Sequence, residues 1–162
     1  MRSFFLLTLG MLVLVACSQK KEEAGTPESL DTQQQVEEPR NRGPQQLSED
    51  AYQVTASGLR YAILKPSDGP KPKRGDKVVV HYQGWLTDGT KFDSSYDRGQ
   101  PIMFVLGAGQ VIPGWDEGIS LLHVGERAQL VLPPELAYGE RGIGPIPPNS
   151  TLIFEVEIVG IE

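Results

Sequence analysis

The stretch VIPGWDEGIS, Val111 to Ser120, decides the fold, because it is the part of the globular region that reads well as a helix. Pro113 suits a first helical position, where the missing N–H costs nothing. Asp116 and Glu117 follow it, where negative charge complements the helix dipole. Trp115, Ile119 and Leu122 fall at i, i+4 and i+7, one face of a 3.6-residue repeat. Gly118 argues against a long helix, so two or three turns are expected.

Around this helix the sequence alternates with period two. KVVVHYQGWL sets Val78, Val80 and Tyr82 against Val79, His81 and Gln83. RAQLVLP groups Ala128, Leu130 and Leu132, and TLIFEVEIVGIE sets Leu152, Phe154, Val156 and Ile158 against Glu155 and Glu157. Such alternation predicts strands with one buried face. SGLRYAILK and PIMFVLG are further strands, and Asp88-Gly89 between Leu86 and Phe92 signals a hairpin. PPELAYG reads as a short helical turn before the Gly- and Pro-rich GERGIGPIPPNS. The fold class is therefore α+β: an antiparallel sheet of five to six strands against one short helix.

The 162 residues carry 15 Lys and Arg against 21 Asp and Glu, a net charge of −6. That balance argues against nucleic acid, whose phosphates require clustered cations. Three segments follow. The opening MRSFFLLTLGMLVLVAC has Arg2 and then an apolar run from Phe4 to Ala16. This run is shorter than the roughly 20 residues of a membrane span and reads as a secretory signal, residues 1–16. LVAC resembles the bacterial lipobox, which implies a diacylated Cys17 (palmitate being one acyl chain) and a lipoprotein tied to a membrane. Ser18 after it points to the outer membrane, facing the periplasm of the cell envelope. Cys17 is the single cysteine; a buried structural thiol is the alternative. Residues 17–47, rich in Gln, Glu and Pro, read as a disordered tether, with a long dimerising helix as the alternative. Residues 48–162 form the domain.

Tyr82, Phe92, Phe104, Trp115, Tyr138 and Phe154 gather toward one end of its core by this reading. Periodicity leaves open whether they close over solid packing or line a cavity. The chemistry of covalent or acid–base enzymes is missing. Of the two histidines, His81 faces outward by alternation and His123 follows the helix. No HExxH motif or cysteine cluster suggests a metal. The serines of FDSSYD read as turn caps, and Gly107-Ala108-Gly109 as a turn. No cofactor or metal is expected.

The order and spacing of VHY, KFDSS, VIPGWDEG, AYG and IPPN, within Leu59 to Ile161, closely resemble the FKBP-type peptidyl-prolyl cis-trans isomerases, the immunophilins that bind tacrolimus and rapamycin. The resemblance implies a sheet wrapped around one helix and rotamase activity toward proline-containing polypeptides, here exported or envelope proteins. It implies catalytic roles for Tyr82, Asp93 and Tyr138. Trp115 would floor the pocket, Tyr82, Phe92, Phe104 and Phe154 wall it, and Val111 and Ile112 form its lip. The Ile112 N–H would bond a substrate carbonyl, and Ile146 would cover the site. Asp93 could instead cap the DSS turn, and the aromatics could be packing residues. Ile102 stands where many members have phenylalanine, which thins one wall, and GERGIGPIPP is one residue shorter than in many eukaryotic members. A monomer is expected, without nucleic acid. The alternative is a non-catalytic, chaperone-like receptor for proline peptides; the chaperone insert of some relatives is absent between Tyr138 and Pro147.

Overall fold

The computed structural model describes residues 43–162. The expected signal segment, Cys17 and the tether as far as residue 42 lie outside them. Seven strands form one antiparallel sheet: β1 (Gln53–Val54), β2 (Arg60–Lys65), β3 (Lys77–Leu86), β4 (Lys91–Ser94), β5 (Ile102–Val105), β6 (Arg127–Leu132) and β7 (Leu152–Ile161). They lie in the order β1-β2-β6-β7-β3-β4, and β5 pairs with β3 alongside β4. The strand beyond the expected five to six is β1. Its two exposed residues are too few to show alternation.

The register places the apolar rows side by side. Val80 faces Ile158, Tyr82 faces Val156 and Gly84 faces Phe154 between β3 and β7. Leu130 faces Phe154 and Ala128 faces Val156 between β6 and β7. Directly opposed residues point to the same side, so these rows make one inner face. The helix α1 (Pro113–Leu121) lies on it, with Trp115, Ile119 and Leu122 in the same buried cluster as Val80, Leu130 and Val156. Full burial of an Ile or Leu side chain contributes about 1.5–3 kcal/mol, so this stripe anchors the helix.

Gly118 does not end the helix. A methyl group there would stand 2.8 Å from Leu130 Cδ1, and one at Gly114 would stand 2.4 Å from Leu132 Cδ2. The two glycines, one turn apart, let the helix backbone settle onto the leucines of β6. The helix stops at Leu122, whose extended backbone turns its N–H back to the Ile119 carbonyl at 3.3 Å.

The outer face departs from simple alternation. Gln83, Trp85, Gln129 and Glu155 belong to it, yet all four are buried. The segment before β1 covers Gln129 and Glu155. The Gln45 N–H donates to Glu155 Oε1 at 2.7 Å, its carbonyl accepts from Gln129 Nε2 at 2.8 Å, and the Tyr52 hydroxyl donates to Gln129 Oε1. Arg127 pairs with Glu155 beneath this cover. The packed domain thus includes Gln45, ahead of the expected boundary at residue 48. Among the described residues no helix is long and apolar enough to cross a membrane.

Candidate active site

The inner face opens into a hollow where β3, β4 and β7 meet the start of α1. Gly84 makes the room. A Cβ there would stand 2.6 Å from the Phe92 ring and 2.8 Å from the Phe154 ring, so both rings occupy the space a side chain would fill. The rings meet mostly edge to face, the arrangement favoured by aromatic quadrupoles. Trp115 and Phe154 lie 5.3 Å apart at 85°, Tyr82 and Trp115 4.8 Å at 84°, and Phe92 and Phe154 5.5 Å at 86°.

The resulting cavity has a volume of about 370 Å³, within the range of roughly 300–1,000 Å³ usual for small-molecule sites. Tyr82, Phe92, Asp93, Val111, Ile112, Trp115, Tyr138 and Phe154 line it, all of them singled out in the sequence. Ile102, the residue expected to thin one wall, lines it too, and so does Gln110, which the sequence reading passed over. Gln110 turns its Oε1 back to accept the Val105 N–H at 2.8 Å, a loop contact with no periodic signature.

Two expected pocket residues stand elsewhere. Phe104 is buried behind Trp115, ring centroids 6.0 Å apart, and does not line the cavity. Its register partner is Val78, whereas Ile102 pairs with Val80, nearer Tyr82. Two residues along a strand are about 7 Å, enough to take Phe104 from the wall into the core. Ile146 is buried in the main cluster and does not line the cavity either. Its backbone and that of Ile143 exchange hydrogen bonds of 2.8 and 3.0 Å, which turns Ile146 inward and leaves Ile143 at the exposed tip.

At the mouth the polar groups divide into the engaged and the free. The Tyr82 hydroxyl donates to Asp93 Oδ2 and accepts from Arg98 Nη2 at 2.7 Å. Arg98 Nη1 pairs with Asp93 Oδ1, which also accepts the Ser94 N–H at 2.8 Å. Asp93 therefore holds its own turn and also lines the cavity. Burial, with the hydrogen bond to Asp93 second, pushes the Tyr82 phenol up to about 12. Arg98 went unseen in the sequence because it lies in the turn after β4, where no repeat marks direction.

By contrast, the Tyr138 hydroxyl and the Ile112 N–H have no acceptor among the described residues. Burial, then the charge of Asp93, raises the Tyr138 pKa, so its hydroxyl stays protonated near neutrality. Ile112 precedes α1, its carbonyl already accepting from Trp115 N–H at 2.9 Å. The loop leading to it is held by Asp116, whose two carboxylate oxygens accept the Gly107 and Gly109 N–H groups at 2.9 and 3.0 Å. The arrangement is an apolar floor with two free donors at its rim. Among the described residues no group of His, Cys, Asp or Glu could hold a metal ion.

A family profile described as FKBP-type peptidyl-prolyl cis-trans isomerase matches residues 69–159. The FKBP-type peptidyl-prolyl cis-trans isomerase FkpA of Aeromonas hydrophila is 54% identical over 113 residues, 70% of this chain and 41% of that protein. The peptidyl-prolyl cis-trans isomerase Fkbp12 of Drosophila melanogaster is 55% identical over 107 residues, 65% of this chain and 99% of that one. The crystal structure of FkpA from Escherichia coli superimposes with a TM-score of 0.66 at 46% identity, covering 71% of this chain and 53% of that one. The chain thus spans about half or less of the FkpA proteins and nearly all of the Drosophila relative.

Proposed function

The chain belongs to the FKBP-type peptidyl-prolyl cis-trans isomerases, and we propose that it accelerates rotation about X–Pro bonds in polypeptide clients. The observation that carries this reading is the hollow floored by Trp115, with the Ile112 N–H and the Tyr138 hydroxyl unpaired at its rim.

Rotation about the X–Pro bond faces a barrier of about 20 kcal/mol from lost amide resonance. The planar amide is the more dipolar form, and water stabilises it better than the twisted one. A proline ring seated on Trp115 between Tyr82 and Phe154 leaves that water behind, which favours the twisted form relatively. The Ile112 N–H and the Tyr138 hydroxyl hold the chain on either side while one carbonyl swings. Only interactions stronger in the twisted state speed the step. Lowering the barrier by about 6–8 kcal/mol corresponds to a roughly 10⁴- to 10⁶-fold acceleration. No proton needs to move. Asp93, engaged by Tyr82, Arg98 and Ser94, shapes the wall and supplies its charge.

The same reading extends to the clients and the location. The N-terminal sequence supports export, acylation at Cys17 and attachment to a bacterial envelope membrane, with Ser18 favouring the outer one. Exported proteins with slow prolines are then the clients, since X–Pro isomerisation takes tens of seconds unaided. The protein is read as a monomer. The hollow also suits macrolides of the tacrolimus and rapamycin type.

A protease-free assay on a short X–Pro peptide, with and without rapamycin, tests the activity. Catalysis suppressed by the macrolide is expected, and a rate equal to buffer rejects the proposal. Fractionation of cells carrying the wild type and Cys17→Ser tests the anchor. The wild type should sediment with membranes and the variant should not.

A further inference from the structure

One edge of β3 has a gap. β4 pairs with Gln83 to Trp85 and β5 with Lys77 to Val80, so His81 and Tyr82 lack a strand partner on that side. Ser95, the first residue past β4, fills the gap and is fully buried. Its N–H donates to the Tyr82 carbonyl at 3.0 Å, and its Oγ accepts the Tyr82 N–H at 2.8 Å. The same Oγ lies 3.1 Å from the Tyr82 carbonyl oxygen and 2.9 Å from His81 Nδ1. One hydroxyl proton therefore faces two acceptors.

We propose, on the isomerase reading above, that Ser95 is a positioning residue for Tyr82 and that His81 sets the direction of its hydroxyl proton. With neutral His81 carrying its proton on Nε2, Ser95 donates to Nδ1 and accepts from the Tyr82 N–H. When the imidazole is protonated, Nδ1–H donates to Oγ and the Ser95 proton turns to the Tyr82 carbonyl. Both states satisfy every group, because a hydroxyl offers one donor and two acceptor sites. The second state gives the Tyr82 carbonyl two donors from one residue. That stiffens the Tyr82 backbone, whose phenol meets Asp93 and Arg98 at the pocket mouth.

The groups facing His81 are few. The Tyr96 ring stacks on it at 4.5 Å and 11°, and the Tyr96 hydroxyl donates to Glu157 Oε2 at 3.3 Å. Glu157 is the β7 partner of His81, and Arg127 on β6 is the partner of Glu157. Burial lowers the His81 pKa and the Glu157 charge opposes that, so the switch lies on the acid side of an ordinary histidine.

The test is an NMR titration of the labelled full-length protein from about pH 8 to about pH 5, the range in which imidazoles titrate. The Tyr82 amide signal should move with the same midpoint as the His81 ring signals, which separates it from titration of Glu157. His81→Phe keeps a ring against Tyr96 and should flatten the Tyr82 response. Ser95→Ala should abolish it and lower kcat/KM about tenfold, with near-ultraviolet circular dichroism retained. A Tyr82 amide that stays still while His81 titrates overturns the proposal, and so does a folded Ser95→Ala with wild-type kcat/KM. Should Ser95→Ala not fold, the wild-type and His81→Phe titrations decide. The titration needs no substrate, so an inactive wild type sinks the isomerase reading without touching this readout.

Discussion

Gly84 and Phe154 oppose each other across the β3–β7 ladder, and the Phe154 ring lies where a Gly84 side chain would project. The hollow thus depends on an absent methyl group as much as on the aromatics around it. Gly84→Ala should push Phe92 and Phe154 toward the cavity, because the new carbon would stand 2.6 and 2.8 Å from them. Overpacking of this kind costs about 1–3 kcal/mol. The expected outcome is a lower melting temperature together with a larger loss of isomerase rate and macrolide binding. Unchanged activity would mean that the hollow is not where proline sits.

Tyr138→Phe separates chemistry from packing. The hydroxyl has no partner among the described residues, so its removal should leave thermal stability unchanged. A neutral hydrogen bond contributes about 0.5–1.5 kcal/mol, which converts to a roughly two- to tenfold fall in kcat/KM. Peptide kinetics alongside a thermal melt provide the comparison.

Alkali should unfold the domain partly through Tyr82. Burial in the fold pushes its phenol up to about 12, above the ordinary tyrosine value of 10.0. A raised pKa means that the protonated form is favoured by folding. The stabilisation is complete below the unfolded value and is lost as pH climbs through the folded one. Tyr96, also pushed up to about 12 by burial and then by Glu157, contributes in the same window. Denaturant melts should therefore weaken above pH 10.0. Tyr82→Phe should flatten part of that decline, and the double change with Tyr96→Phe more of it.

Truncation to Ser48 tests the role of the segment before β1. It removes the Gln45 backbone groups from Glu155 and Gln129, both buried. Stripping a buried polar group of its partner costs about 1–3 kcal/mol. The shortened protein should melt earlier, yet isomerise at the full rate, because no residue of this segment lines the pocket.

The amphipathic elements were legible in the sequence for a physical reason. Trp115, Ile119 and Leu122 repeat at helical spacing, and the rows through Val80, Leu130 and Val156 alternate, because each element buries one side. Residues whose roles depend on a turn or a register were not. Arg98 and Ser95 act from the turn after β4, and Phe104 shares a face with Ile102 but sits one pair deeper. Gln129 and Glu155 alternate as solvent-facing residues should, and the covering segment from Gln45 to Tyr52 removes them from water.

The fastening of Gln45 to the outer face of the sheet fixes where the chain enters the domain. The pocket is built on the opposite, inner face. A load applied at Gln45 therefore bears on the backs of β6 and β7 and leaves the aromatic hollow unstrained.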